Sequence, residues 1–265
     1  MKKSCIIIGS VSSIVTVIVI VDGIIILPTF LLLAQDATRE NIVSSVDETD
    51  YSMDSRTILR SLAEGKTDVF IEQMATPSVT PVKLPPVQWK QADYLKVADA
   101  FSKAIFHESL DGWKVKDYIH FSLDCKDVSF GPQYASITFF KSISTGKDTS
   151  RIERTIAVDP QENQVSWSGA TFSPDTGGAT PVDLSRVNFS VDEALRIAEA
   201  NGGEKFRLGV NNDCGIDITN WRSMFQATFG GNDWKAWYEG SQGELFNINV
   251  NQQTGNYQII YPKPK

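Results

Sequence analysis

Thiols and imidazoles are scarce in this sequence: three cysteines and two histidines. Zinc or thiol chemistry would therefore have to be assembled from Cys5, Cys125, Cys214, His107 and His120. A structural zinc site takes four such ligands at close spacing, and no two of these residues stand that way, so neither a metal nor a cofactor is expected. A nucleophilic cysteine needs a base beside it. On an alternating strand His120 points away from Cys125, and His107 sits where a helix ends, where an imidazole is favoured by the last carbonyls. No catalytic residue is assigned. Cys125 and Cys214 share the parity of apolar strand faces; in an oxidising compartment such a pair can close a disulfide, with two buried free thiols as the alternative.

The acids Asp124, Asp127, Asp213 and Asp217 flank these cysteines. An acid/base pair or a calcium site could be built from them, but Asp-x-Asp-x-Asp-Gly spacing is absent, and solvated loop acids are the plainer reading. Trp221, Trp234, Trp237 and Tyr238 lie in a glycine-flanked stretch. Alternation sends Trp234 and Trp237 to opposite faces of a strand, so one is core. Trp237, with Trp221, is the candidate ligand or partner surface.

The elements that must position these residues fall in a chain of 265 residues, 42% hydrophobic and 22% charged, a length typical of about two domains. The net charge of −7 comes without a basic stripe, which excludes a nucleic-acid backbone as partner. Lys2 and Lys3 precede an apolar run, Cys5 to Ala34, that is broken only by Asp22. This run exceeds the about 7–15 residues of a signal-peptide core and predicts an uncleaved transmembrane helix within residues 5–34. Its amino terminus would be cytoplasmic and the remainder of the chain outside the membrane. A span from Cys5 to Val21 would leave Asp22 at the outer surface, sparing a carboxylate the cost of bilayer depth.

After this segment (1–35), residues 36–87 read as a stalk. They hold a short helix closed by Gly65 and a spacer with Pro77, Pro81, Pro85 and Pro86. Two α+β units then follow, 88–172 and 190–265, joined by a linker at 173–189. Leu95-Lys96-Val97-Ala98-Asp99-Ala100 matches Leu195-Arg196-Ile197-Ala198-Glu199-Ala200, each half carries one Asp-Cys pair, and each ends in a hairpin, Ile156–Trp167 and Phe246–Ile259. The fold class expected is α+β, an N-terminal transmembrane helix followed by two tandem repeats of a helix packed on an antiparallel β-meander. Ser190 with Glu193 forms a capping box, and Asn201-Gly202-Gly203 should end that helix, with Phe206, Leu208 and Val210 alternating in a strand behind it.

The capping box, Glu193-Ala194-Leu195-Arg196-Ile197-Ala198 and the closing Phe246-Asn247-Ile248-Asn249-Val250-Asn251-Gln252-Gln253-Thr254-Gly255 resemble the PepSY-type domain family. The likeness covers mainly 190–260 and more weakly Gln91 to Trp167. It departs at Asn249 and Asn251, where the family tends to a Val-Asp pair of the kind seen here at Val158-Asp159. It implies a small helix-plus-meander module outside the cytoplasmic membrane that binds or regulates. The function expected is therefore a membrane-anchored, non-catalytic binding module with a protein or peptide partner. An extracytoplasmic hydrolase using carboxylates between the repeats, or a structural surface spacer, are the alternatives.

Overall fold

The computed structural model describes residues 7–11, 14–18, 51–52, 59–60, 62–65, 83–145, 148–174, 182, 187–221 and 233–261. The chain divides into two units, Met1–Asp47 and Glu48–Lys265. In the first, β1 (Ile7–Val11) and β2 (Ile14–Ile18) pair antiparallel, Ile7 opposite Ile18 and Val11 opposite Ile14. This corrects the expected transmembrane helix over these residues, which form strands; among the described residues, no helix is long and apolar enough to cross a membrane. The physical reason lies in side-chain shape. The run is built of Ile and Val, whose branched Cβ atoms favour extended backbone, interrupted by Ser12-Ser13. The remainder of the apolar run, including Asp22, falls outside the described residues.

In the second unit, strands dominate. They are β3 (Tyr51–Ser52), β4 (Lys114–Asp124), β5 (Tyr134–Thr145), β6 (Asp148–Asp159), β7 (Gln164–Pro174), β8 (Cys214–Trp221), β9 (Asp233–Gly240), β10 (Leu245–Asn251) and β11 (Tyr257–Tyr261). They form one nine-stranded antiparallel sheet in the order β11-β10-β9-β8-β4-β5-β6-β7-β3. The expected architecture of two α+β repeats is corrected accordingly. A helix followed by four strands does occur twice in chain order, yet β4 and β8, the leading strands of the two stretches, pair with each other from His120–Thr219 to Asp124–Gly215. Separate meanders would each leave a row of unpaired N–H and C=O groups along the leading edge; joining the edges satisfies both rows. Within the stretch expected to be a linker, Val182 is buried and its N–H donates to the Val115 carbonyl.

Helix α1 (Gln91–Phe106) begins where the Lys90 N–H donates to the Asp93 carboxylate and ends at His107, which adopts φ 53°. Its buried stripe, Tyr94, Val97, Ala98 and Phe101, has the helical repeat that places every one of these side chains on the sheet. Tyr94 meets Phe121 of β4 edge-on at 5.7 Å and donates its hydroxyl to the Pro132 carbonyl. Each large apolar side chain buried in this way contributes about 1.5–3 kcal/mol. Beyond the helix, Arg154 lies between Phe106 and Trp113, 3.9 and 4.6 Å from their ring centres, while Glu108 accepts from both Arg154 and Lys141.

Helix α2 (Val191–Ala198) starts with the expected capping box, Ser190 N–H to the Glu193 carboxylate and Glu193 N–H to Ser190 Oγ. It does not stop at Asn201-Gly202-Gly203. Gly202, at φ 125°, lets the axis kink through a wide turn, Glu199–Gly203, and the chain resumes as α3 (Glu204–Gly209). The expected strand over Phe206–Val210 is therefore replaced by helix, leaving Leu208 exposed. Gly203 is needed at the kink because a Cβ there would stand 2.6 Å from the Tyr238 hydroxyl. The two main helices meet at their N-termini and exchange side chains: Gln91 N–H donates to the Asp192 carboxylate, and Val191 N–H donates to Gln91 Oε1. Each helix thus satisfies a first-turn donor of the other.

Cys125 and Cys214 are joined by a disulfide at the end of the β4–β8 pairing, with Cα atoms 5.3 Å apart. The bond closes a separation of 89 residues across the one strand pair that links the two halves of the sheet. Replacing both cysteines by serine is expected to lower stability by about 2–4 kcal/mol, read as a drop in urea midpoint. A midpoint unchanged from the parent would show that the backbone pairing alone holds the joint.

Candidate functional site

One face of the sheet is covered by the helices, and alternation gives the other face a polar row at the joint. Leu123, Phe121 and Ile119 of β4 point to the helices, so His120, Ser122 and Asp124 point away; on β8 the same logic buries Ile216 and Ile218 and turns Gly215 and Asp217 outward. Between these strands, β5 and the β6–β7 turn lies an open groove of about 580 Å³. Among the described residues four carboxylates line it, Asp124, Asp159, Glu162 and Asp217, against one lysine, Lys83.

Across the joint, His120 Nε2 and Asp217 Oδ1 stand 2.7 Å apart, and the Tyr134 ring approaches His120 edge-on at 5.8 Å. Ser122 shares their face two residues along β4, its Cα about 6.7 Å from that of His120. Asp159 heads the β6–β7 turn, where Oδ1 accepts from the N–H groups of Gln161 and Glu162. Burial raises its carboxyl above the ordinary 3.8; Glu162 pushes the same way, and the two turn N–H groups and Lys83 pull against it. Gln133 closes the floor: its side chain accepts from Val87 N–H and donates to the carbonyls of Val87, Gly131 and Pro132.

A segment read in sequence as spacer forms one wall. Leu84 N–H donates to the Gln161 carbonyl at 2.7 Å, Val87 is gripped by Gln133, and Lys83 Nζ stands 3.7 Å from Asp124 Oδ2. Nothing in the sequence of this proline-rich stretch announces that contact. Tyr134, Asp159 and Glu162 were also not singled out as site residues. The signal that could have found Asp159 is its place before Pro160 at a hairpin turn, where an Asp side chain bonds backbone N–H groups ahead of it.

Of the residues singled out in sequence, His120, Asp124 and Asp217 line this groove, while Asp124, Asp213 and Cys214 line a smaller neighbouring depression of about 280 Å³. Asp213 accepts from Ser241 Oγ and Asp127 from Gln161 Nε2. Trp234 is fully buried, its Nε1 donating to the Phe189 carbonyl. Trp237 lies half-buried on the opposite face, opposite Asp217 on one side and Asn247 on the other, with Lys235 Nζ 4.5 Å above its ring. Trp221 pairs with Asp233 in the backbone ladder, and its side chain is outside the described structure. Among the described residues, no three of His, Cys, Asp and Glu are arranged to hold a metal ion.

Comparison with known proteins returns no match to this chain, whether with family models, curated proteins or solved structures.

The raised carboxyl of Asp159 fixes the sign of a pH effect. A folded-state pKa above the unfolded one penalises the native state once the pH exceeds the unfolded value near 3.8, and the penalty is absent below it. Asp159→Asn keeps the oxygen that accepts from the turn and removes the charge. Its stability relative to the parent is expected to rise with pH above about 4 and to match the parent below, whereas Asp159→Ala should lose about 1 kcal/mol below pH 4 through the orphaned N–H groups, a deficit that shrinks as the pH rises because the same carboxylate is gone. Urea melts between pH 3 and 7 decide this; an Asn variant with no pH-dependent gain would mean that burial does not penalise the carboxylate.

Proposed function

We propose that this chain is a non-catalytic binding module that works outside the cytoplasm, and that the groove at the joint of its sheet takes a positively charged side chain of a protein or peptide partner. The observation that carries the reading is the groove itself. Among the described residues, four carboxylates and one lysine line a space of about 580 Å³ on the sheet, with the Tyr134 ring beside them. Ammonium and guanidinium groups suit such a surface, since carboxylate partners and aromatic rings both attract cations. The disulfide supports an oxidising compartment. Binding or regulation is also what the resemblance of 190–260 to PepSY-type modules implies.

The hydrolase alternative receives less support from this geometry. Asp159 is spent on its turn, and the hydrogen bond between His120 and Asp217 braces neighbouring strands. Among the described residues His120 is engaged by Asp217 and the Tyr134 ring, whereas acyl or glycosyl transfer would need a nucleophile aligned with a base.

Pentalysine is a suitable probe. The full chain, purified in a mild nonionic detergent, is expected to bind it in calorimetry at low salt and to lose affinity as salt is added. Replacing Asp124 and Asp217 together by Asn should weaken binding about fivefold to tenfold, since exposed ion pairs contribute up to about 1 kcal/mol each. Equal affinity of parent and double variant would rule the groove out as the binding surface.

A further inference from the structure

We infer that the groove carries its own competitor: Lys83, held on the docked segment Lys83–Val87, occupies the position that a partner's cationic side chain would take, so that binding requires this segment to be displaced. The inference rests on the reading of the groove as a cation-accepting surface and adds a regulatory contact within it.

Three features place the segment there. Lys83 Nζ stands 3.7 Å from Asp124 Oδ2, and Lys83 is the lysine lining the groove. Its charge also reaches the far wall, where it acts on Asp159. The segment is anchored at two points, Leu84 N–H to the Gln161 carbonyl and the exchange of hydrogen bonds between Val87 and the Gln133 side chain. Pro85 and Pro86 between these anchors restrict the backbone to extended forms, so the segment lies along the groove wall without needing a partner strand.

The contact is also weak enough to exchange. The Lys83 and Asp124 side chains are 70% and 59% exposed, and ion pairs at such exposure are worth about 0.2–1 kcal/mol. An external lysine or arginine with further contacts can therefore replace Lys83 without opening the fold. The four carboxylates exceed the charge of one lysine, which leaves net attraction for a partner even while Lys83 is in place.

Two variants separate charge from tethering. Lys83→Ala removes the competitor. Leu84→Pro keeps every charge but deletes the N–H that donates to Gln161, and it suits the extended backbone already imposed by the following prolines. With pentalysine as probe and the full chain in detergent, both are expected to tighten binding about twofold to fivefold over the parent. Lys205→Ala, the same charge change on α3 across the sheet, should leave the affinity within error. Adding Asp124→Asn to Lys83→Ala should abolish the gain. If parent and both variants bind alike, the competitor is overturned while the groove stands. If Lys205→Ala tightens binding as much as Lys83→Ala, the effect is net charge and the inference also fails. If no form binds pentalysine, groove and competitor fall together; binding by the variants alone would support a segment that blocks the groove fully.

Discussion

The pairing of β4 with β8 is the constraint on which the remaining structure depends. Five backbone residue pairs, His120–Thr219 to Asp124–Gly215, turn two stretches of strand into one sheet. Around that joint the chain places a covalent bond at one end, a histidine–carboxylate contact on the open face and reciprocal side-chain caps between helix N-termini on the covered face. These act on different groups: backbone donors, thiols, an imidazole and first-turn N–H groups. The contacts beside the backbone pairing hold the two strands in one register, which suits a surface whose residues come from strands far apart in sequence.

Burial on one side dictates what is available on the other. Trp234, Tyr238, Phe121 and Tyr94 fill the space between sheet and helices, and because successive side chains alternate, their neighbours are forced outward. The groove arises at the joint because His120 and Asp124 on one strand, and Asp217 on the next, are the outward partners of Phe121, Leu123 and Ile216. The hairpin turn at Asp159 and the segment at Lys83 then supply the walls. Strand residues placed here are held by the core beneath them.

Helix ends show the same economy. The wide turn at Glu199–Gly203 allows α2 to continue as α3 only because Gly202 tolerates φ 125° and Gly203 leaves room for the Tyr238 hydroxyl, which donates to Glu199. Glu199 also binds Arg207, tying the second helical segment to the first across the kink. A segment that looks like a helix stop in sequence thus becomes a bend held by one buried tyrosine and one ion pair.

The amino-acid sequence alone determined local matters: the start of α2 at Ser190, the stripe that buries Tyr94 and Phe101, and the Gly255 turn with φ 69°. These follow from periodicity, capping and backbone sterics, which act within a few residues. Asp124 and Asp217 could be noted as acids near cysteines, but not as walls of a common groove. Only the tertiary structure decided that the leading strands of two similar stretches would join edge to edge, and that a proline-rich spacer would bring Lys83 to Asp124. Such outcomes depend on which distant backbone edges and charges find each other, and local propensity carries no record of a partner far along the chain.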